Sequence, residues 1–135
     1  MTRCAVLSVA GIVLLSAVIA LPVIAGGDSP QDVYALYIVA QRDGNLKGMC
    51  EYVTEAKVKQ LEAMPEEQKT QIAEMMKMMA PTEYTVVNED IQGDSATLTL
   101  VGKATDFSGS PCDKKGTACF VKEGGLWKLA KESWK

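Results

Sequence analysis

Hydrophobic and polar positions follow three successive patterns along this chain. From Ala5 to Ile24 no charge interrupts an apolar run. From Ser29 to Pro81 apolar residues recur at helical spacing, and from Glu83 onward the period falls to two. Ser29-Pro30-Gln31-Asp32 reads as a helix start, with a capping hydroxyl, a proline at the first helical position and an acid three residues after the cap. The run Val33–Ala40 is apolar enough to pass for a buried strand. The capped start favours a helix, in which Val33, Leu36, Tyr37 and Ala40 share a face and the helix lies deep in the domain. Asp43-Gly44-Asn45 ends it, and Asn45 caps a second, short helix carrying Leu46, Met49, Cys50 and Val53. Thr54 opens a further turn or two with Val58 and Leu61. Pro65-Glu66-Glu67 begins a third helix whose acids suit the helix dipole, with Ile72, Met75, Met76 and Met79 as its apolar face, and Pro81 stops it.

In the second half Tyr84, Val86, Asn88 and Asp90 alternate with Thr85, Val87, Glu89 and Ile91, as in a strand. Gln92-Gly93-Asp94 turns the chain. A second strand, Ser95–Ala104, places Ala96, Leu98 and Leu100 on one face and Thr97, Thr99 and Val101 on the other. The segment Asp113–Ala118 reads as a polar loop. A third strand runs from Thr117 to Glu123 and a fourth from Leu126 to Trp134, joined at Gly124-Gly125. Helices followed by a meander of strands predict an α+β domain: about three N-terminal helices on one face of a mainly antiparallel four-stranded sheet.

The leading apolar run changes the compartment. Arg3 precedes it, Val23-Ile24-Ala25 closes it with small-residue chemistry, and Pro22 and Gly26-Gly27 break it, the layout of a secretory signal peptide. The expected division is a signal peptide at 1–25 and a single domain at 26–135. Cleavage after Ala20, or retention as an N-terminal membrane anchor, are the alternatives, because the run is long enough to span a bilayer. After cleavage no stable membrane insertion is expected, and the destination is periplasmic or secreted. Loss of Arg3 moves the net charge from −3 to −4, which offers nothing to nucleic acid. There is no histidine, so the commonest metal ligand and the commonest neutral-pH base are both missing. No catalytic, cofactor-binding or metal-binding set is expected.

An exported chain allows disulfides. Cys4 precedes every cleavage point, leaving Cys50, Cys112 and Cys119. Cys112 and Cys119 flank the polar loop, and their bridge is expected to contribute about 2.5 kcal/mol by chain entropy. Cys50 then packs as a small hydrophobe; as a nucleophile it has no histidine to activate it. Met75-Met76-Lys77-Met78-Met79 has two readings, a Cu(I) ligand set built on Met75 and Met79, or core filler. Tyr37, Tyr52 and Trp127 either line a small apolar pocket or pack the core with their polar tips satisfied. Lys122, Lys128 and Lys131, with Glu123 and Glu132 nearby, read as a solvated sheet face or a partner patch.

The capped helix Ser29–Tyr37, the following Asp43-Gly44-Asn45-Leu46, the hairpin Gly93–Thr99 and the ending Val121–Leu129 resemble the small exported members of the nuclear transport factor 2-like superfamily, the cystatin-like α+β cone. Lumazine-binding-like domains of the bacterial envelope look most similar. The resemblance covers nearly all of 26–135 and implies a curved sheet wrapped around the first helix. It also implies a conical pocket, filled in the superfamily's isomerases and dehydratases by aspartate, histidine or tyrosine. The expected function is a non-enzymatic envelope domain that binds a small ligand or a partner protein. The alternatives are a cone-fold isomerase or dehydratase, and an assembly factor acting as a homodimer.

Overall fold

The computed structural model describes residues 29–106 and 108–135; the leader, its cleavage point and Cys4 lie outside the described residues. Four helices precede four strands: α1 (Pro30–Arg42), α2 (Leu46–Met49), α3 (Glu55–Glu62), α4 (Glu66–Met79), β1 (Glu83–Gln92), β2 (Ser95–Thr105), β3 (Pro111–Glu123) and β4 (Leu126–Trp134). The strands form one antiparallel meander in the order β1-β2-β3-β4. The α+β architecture expected from the pattern is the one observed. No helix among the described residues is long and apolar enough to cross a membrane.

The helix ends obey the local chemistry that marks them in the sequence. Ser29 Oγ accepts from the Asp32 amide at 3.2 Å, and Asn45 Oδ1 accepts from the Gly48 amide at 2.9 Å. Gly44, at φ +63, makes the turn between α1 and α2 that a side chain would strain. Around this turn α1 is tied to the start of the sheet. Arg42 donates from Nε to the Pro81 carbonyl at 2.9 Å and from Nη2 to the Thr82 carbonyl at 3.0 Å. Buried Gln41 donates to the Met76 carbonyl at 3.0 Å.

The buried stripe of α1 is Pro30, Val33, Tyr34, Tyr37, Ile38 and Gln41, with Ala40 beside it. Leu36, expected on that face, is 39% exposed, and Val39 is exposed as well. A run apolar all round gives no phase of its own; the sheet selects the i, i+3, i+4 set that fits. These residues meet Ala96, Leu98 and Leu100 of β2, Ala118 and Phe120 of β3, and Trp127 and Leu129 of β4. The segment after α2 closes the β4 edge. Val53 bridges Leu129, with Leu129 N donating to the Tyr52 carbonyl at 2.7 Å and Thr54 N to the Leu129 carbonyl at 3.2 Å. At Leu129 the edge strand is thereby covered against foreign pairing.

The Cys112–Cys119 bridge does not form. Both residues belong to β3, which starts at Pro111, so the segment between them is extended strand and not a loop. Seven steps of about 3.3 Å separate them by about 23 Å, against the roughly 4.4–6.8 Å between the Cα atoms of a disulfide. The odd spacing also puts them on opposite faces. Cys112 Sγ donates to the Ala104 carbonyl at 3.4 Å, and Cys50, Cys112 and Cys119 are all free. The true β2–β3 turn lies earlier, where Asp106 Oδ1 accepts from the amides of Ser108 at 2.8 Å and Ser110 at 3.0 Å. The Ser108 hydroxyl, which also donates to Oδ1, and then these amides hold the exposed Asp106 carboxyl below its ordinary pKa.

The polar run Asp113–Thr117 is strand because it pairs residue by residue with Lys103–Thr99 of β2. A Cβ on Gly116 would come within 2.8 Å of the Trp134 ring, which lies across β3 at this point. Gly116→Ala is therefore expected to destabilise the fold by about 1–3 kcal/mol, read as a lower urea midpoint with unchanged slope. An unchanged midpoint would show that Trp134 does not pack here. Thiol alkylation in denaturant without reductant is expected to label Cys50, Cys112 and Cys119 in every molecule.

Candidate functional site

The concave face of the sheet is organised by two register shifts. Val86 pairs with Leu100 and Asn88 with Thr99, leaving Val87 unpaired in β1. Phe120 pairs with Leu129 and Cys119 with Lys131, leaving Ala130 unpaired in β4. Each extra residue reverses the inward–outward alternation beyond it. In β1 the inward set becomes Tyr84, Val86, Glu89 and Ile91, and in β4 it becomes Trp127, Leu129, Glu132 and Trp134. Strict period two would have sent Glu89 and Glu132 away from those faces, so Glu132 does not belong to the solvated charge stripe expected for it.

The register then sets the two carboxylates in one row across the sheet: Glu89 pairs with Leu98, Leu98 with Ala118, and Ala118 with Glu132. Three steps of about 4.8 Å place them about 14 Å apart along the sheet. The adjacent rows are Ile91–Ala96–Phe120–Leu129 and Val86–Leu100–Gly116–Trp134. The row is thus apolar at its centre with an acid at each end, and largely apolar rows flank it.

Helix α1 roofs that line. Tyr34 donates its phenol proton to Glu132 Oε2 at 2.5 Å, and one turn earlier Gln31 Nε2 donates to Glu89 Oε2 at 3.2 Å. Tyr34 is fully buried, with its ring edge-on to Tyr84 at 5.1 Å and to Phe120 at 6.3 Å, and tilted against Tyr37 at 6.2 Å. Burial is the main reason the Glu132 carboxyl is raised above its ordinary pKa; the Tyr34 bond and the nearby Trp134 indole pull the other way. Burial likewise pushes the Tyr34 and Tyr37 phenols far above 10, with the Glu132 charge adding to it. Among the described residues the buried oxygens Glu89 Oε1 and Gln41 Oε1 have no hydrogen-bond partner, and the Trp134 indole N–H lies beside the Tyr34–Glu132 pair without a well-formed bond.

Of the three residues expected to line a pocket, Tyr37 alone lies against this cluster. Trp127 is buried further along β4, with Lys122 Nζ 5.0 Å from its ring centroid. Tyr52 is half-buried at the β4 edge, its carbonyl engaged by Leu129. Aromatic contacts among the described residues run through Tyr34 and do not join Tyr37, Tyr52 and Trp127 to one another. Tyr34, Glu89, Glu132 and Trp134 carry no sequence signal as a group, because two bulges are needed to bring them together.

Two concavities lie away from this row. A groove of about 470 Å³ between α2, α3 and α4 is lined by Leu46, Cys50, Leu61, Glu62, Lys69 and Ala73. Burial, then the Glu62 charge, pushes the Cys50 thiol up, against the opposing pull of Lys69, so at neutral pH it is a packing group. An open trough of about 680 Å³ on the other side of the sheet includes Glu83, Lys103, Asp113 and Lys115, with Lys103 paired to Glu83 at 3.5 Å. Among the described residues no cluster of three or more cysteines or carboxylates could hold a metal ion.

The raised Glu132 pKa fixes the sign of a pH effect. Between the ordinary carboxyl value of 4.5 and the folded value the native state binds more protons than the unfolded chain, so stability falls as pH rises through that window. A second fall is expected above pH 10, where the unfolded chain releases the tyrosine protons that the folded state keeps. Glu132→Gln is expected to abolish the acidic-side slope and to keep stability at pH 8, because its amide oxygen still accepts from Tyr34. Tyr34→Phe should lose about 1–3 kcal/mol at pH 8 by leaving a buried carboxylate unpartnered. Urea midpoints across pH check all three, and an unchanged acidic-side slope in Glu132→Gln would show that the carboxyl is solvated.

No family model matches the sequence, and no curated protein matches it. Solved structures do match. A SEC-C motif containing protein from Rhodopseudomonas palustris superposes with a TM-score of 0.57 at 13% identity, covering 80% of each chain. A designed NTF2 protein gives 0.56 at 10% identity over 80% of this chain and 97% of its own. An NTF-2 like protein of unknown function from Silicibacter pomeroyi gives 0.51 at 13% identity, over 78% and 90%. Identities this low speak for architecture alone. With four helices ahead of a curved antiparallel sheet that holds α1 in its concave face, the chain has the nuclear transport factor 2-like α+β cone fold.

Proposed function

We propose that the protein is an exported cell-envelope domain that binds a small ligand on the concave face of its cone and carries out no chemistry on it. The leader chemistry of Arg3, Ala5–Ile24 and Val23-Ile24-Ala25 supports export. The observation that carries the binding reading is the row Glu89–Leu98–Ala118–Glu132 beneath Gln31 and Tyr34, with Glu89 Oε1 unpartnered. An idle carboxylate oxygen with apolar side chains on the neighbouring positions suits a compact, mostly apolar molecule that carries one hydroxyl or amine. Tyr34 and Glu132 satisfy each other, so neither is free to attack or deprotonate a substrate, and no histidine stands in for them.

The raised Glu132 carboxyl facing a phenol favours a second reading, an isomerase- or dehydratase-type acid–base site. The two part on solvent-deuterium incorporation at the α-carbon of an enolisable ketone such as cyclohexenone. The binding reading expects none above background. Incorporation that Glu132→Gln abolishes would establish the enzyme.

Native mass spectrometry of protein purified from its own host is expected to show a chain beginning near Gly26 with a small molecule retained, and it reads subunit number at the same time. Phenol and indole serve as probes in solution. They are expected to shift the signals of Trp134 and of the α1 face, and Glu89→Gln should weaken binding about tenfold. An apo protein whose concave face responds to neither probe would remove the ligand reading and leave a partner protein, or self-association as a homodimer, as the role. An intact precursor dissolved in the cytosol would remove the envelope.

A further inference from the structure

Met75-Met76-Lys77-Met78-Met79 closes α4, and the structure separates its two readings. No residue of α4 is buried. Met76 alone of the four packs against the core, while Met75, Met78 and Met79 are 51%, 71% and 56% exposed. Three long apolar side chains each more than half exposed add little to the core, so core filling alone does not account for them.

Their spacing does. At about 100° per residue Met75 lies between Met78, about 60° to one side, and Met79, about 40° to the other. All three therefore occupy one strip about 100° wide on the helix face away from the sheet. Met75–Met79 is an i,i+4 pair and Met75–Met78 an i,i+3 pair, with Cβ atoms about 5–6 Å apart. Each thioether sits at the end of an unbranched, freely rotating chain, so three sulfurs can converge on one point above Met75. No Lys or Arg falls within the strip: Lys77 is turned the other way, with its side chain beside Gly44. Exposed Glu74 borders the strip next to Met78, and exposed Gln71 extends it by one turn.

We propose that Met75, Met78 and Met79 form a surface site for a soft monovalent cation, Cu(I). Thioethers are soft donors that select Cu(I) over hard or borderline cations, which require carboxylate or imidazole. A neutral three-sulfur set leaves the ion its single positive charge, which the flanking Glu74 carboxylate favours and a lysine in the strip would oppose. The residues are distinct from those of the concave face, so this site and the ligand reading stand or fall separately.

Ag(I), a redox-inert stand-in for Cu(I), tests it in protein labelled at the methionine methyls. The expected result is that the Met75, Met78 and Met79 methyl signals move together once the free thiols are filled, while buried Met49 stays in place. Against a Cu(I) chelator such as bathocuproine, Met75→Leu/Met78→Leu/Met79→Leu should bind about tenfold or more weakly than the parent at an unchanged melting temperature. A Cys50→Ser/Cys112→Ser/Cys119→Ser background removes thiol competition. Should that variant not fold, the methyl signals of the parent chain still decide. Methyl signals that do not respond to Ag(I), or a triple-leucine variant that competes as well as its parent, would overturn the site.

Discussion

A carboxylate withdrawn from water costs several kcal/mol unless a donor meets it. In this protein the donor to Glu132 is a phenol from the one helix that crosses the sheet. Tyr34 holds the two layers together twice over, through its hydroxyl on Glu132 and through a ring wedged edge-on against Tyr84 and Phe120. Because that bond is satisfied only when β4 has its bulge at Ala130, helix docking and strand register constrain each other. A slip of one residue in β4 would bring Lys131 inward and leave Tyr34 facing an ammonium group where its acceptor should be.

The same constraint explains the glycine at 116. Once the bulge turns Glu132 inward it turns Trp134 inward as well, and the register lays that indole over β3 at Gly116. A small residue opposite a large one is how a curved sheet keeps its layers in contact. The polarity of Asp113, Lys114 and Lys115 has no bearing on this, since two of the three face outward and Lys114 lies near the open end of β3.

Much of the architecture was legible in the sequence because its signals are local. Ser29-Pro30, Asn45, Pro65 and the glycine turns act within four residues of themselves, and each lies where its element begins or ends. The β2 alternation of Ala96, Leu98 and Leu100 was legible too, because that strand is unbulged and buried on one face. What escaped the sequence was non-local. The phase of α1 depends on the sheet beneath it, so Leu36 was assigned inward and Tyr34 was not. The β2–β3 turn was misplaced because the cysteines appeared to bracket a polar loop, whereas strand length is set by the partner strand. Glu89 and Glu132 were hidden by bulges, which leave no mark in a period-two pattern: Val87 and Ala130 are ordinary strand residues.

The polar line on the concave face is hard to account for as a stability device. Leu98 and Ala118, at its centre, show that apolar residues fit the row, and an apolar pair at its ends would carry no desolvation cost. Glu132 at least is answered by Tyr34; Glu89 is only half answered by Gln31, and its Oε1 has no partner. The two carboxylates therefore differ in kind: Glu132 on β4 is met by Tyr34, while Glu89, at the β1 end of the same row, keeps one oxygen without a protein partner. That asymmetry separates the two ends of the row: the satisfied pair ties helix docking to the β4 register, and the half-answered Glu89 does not.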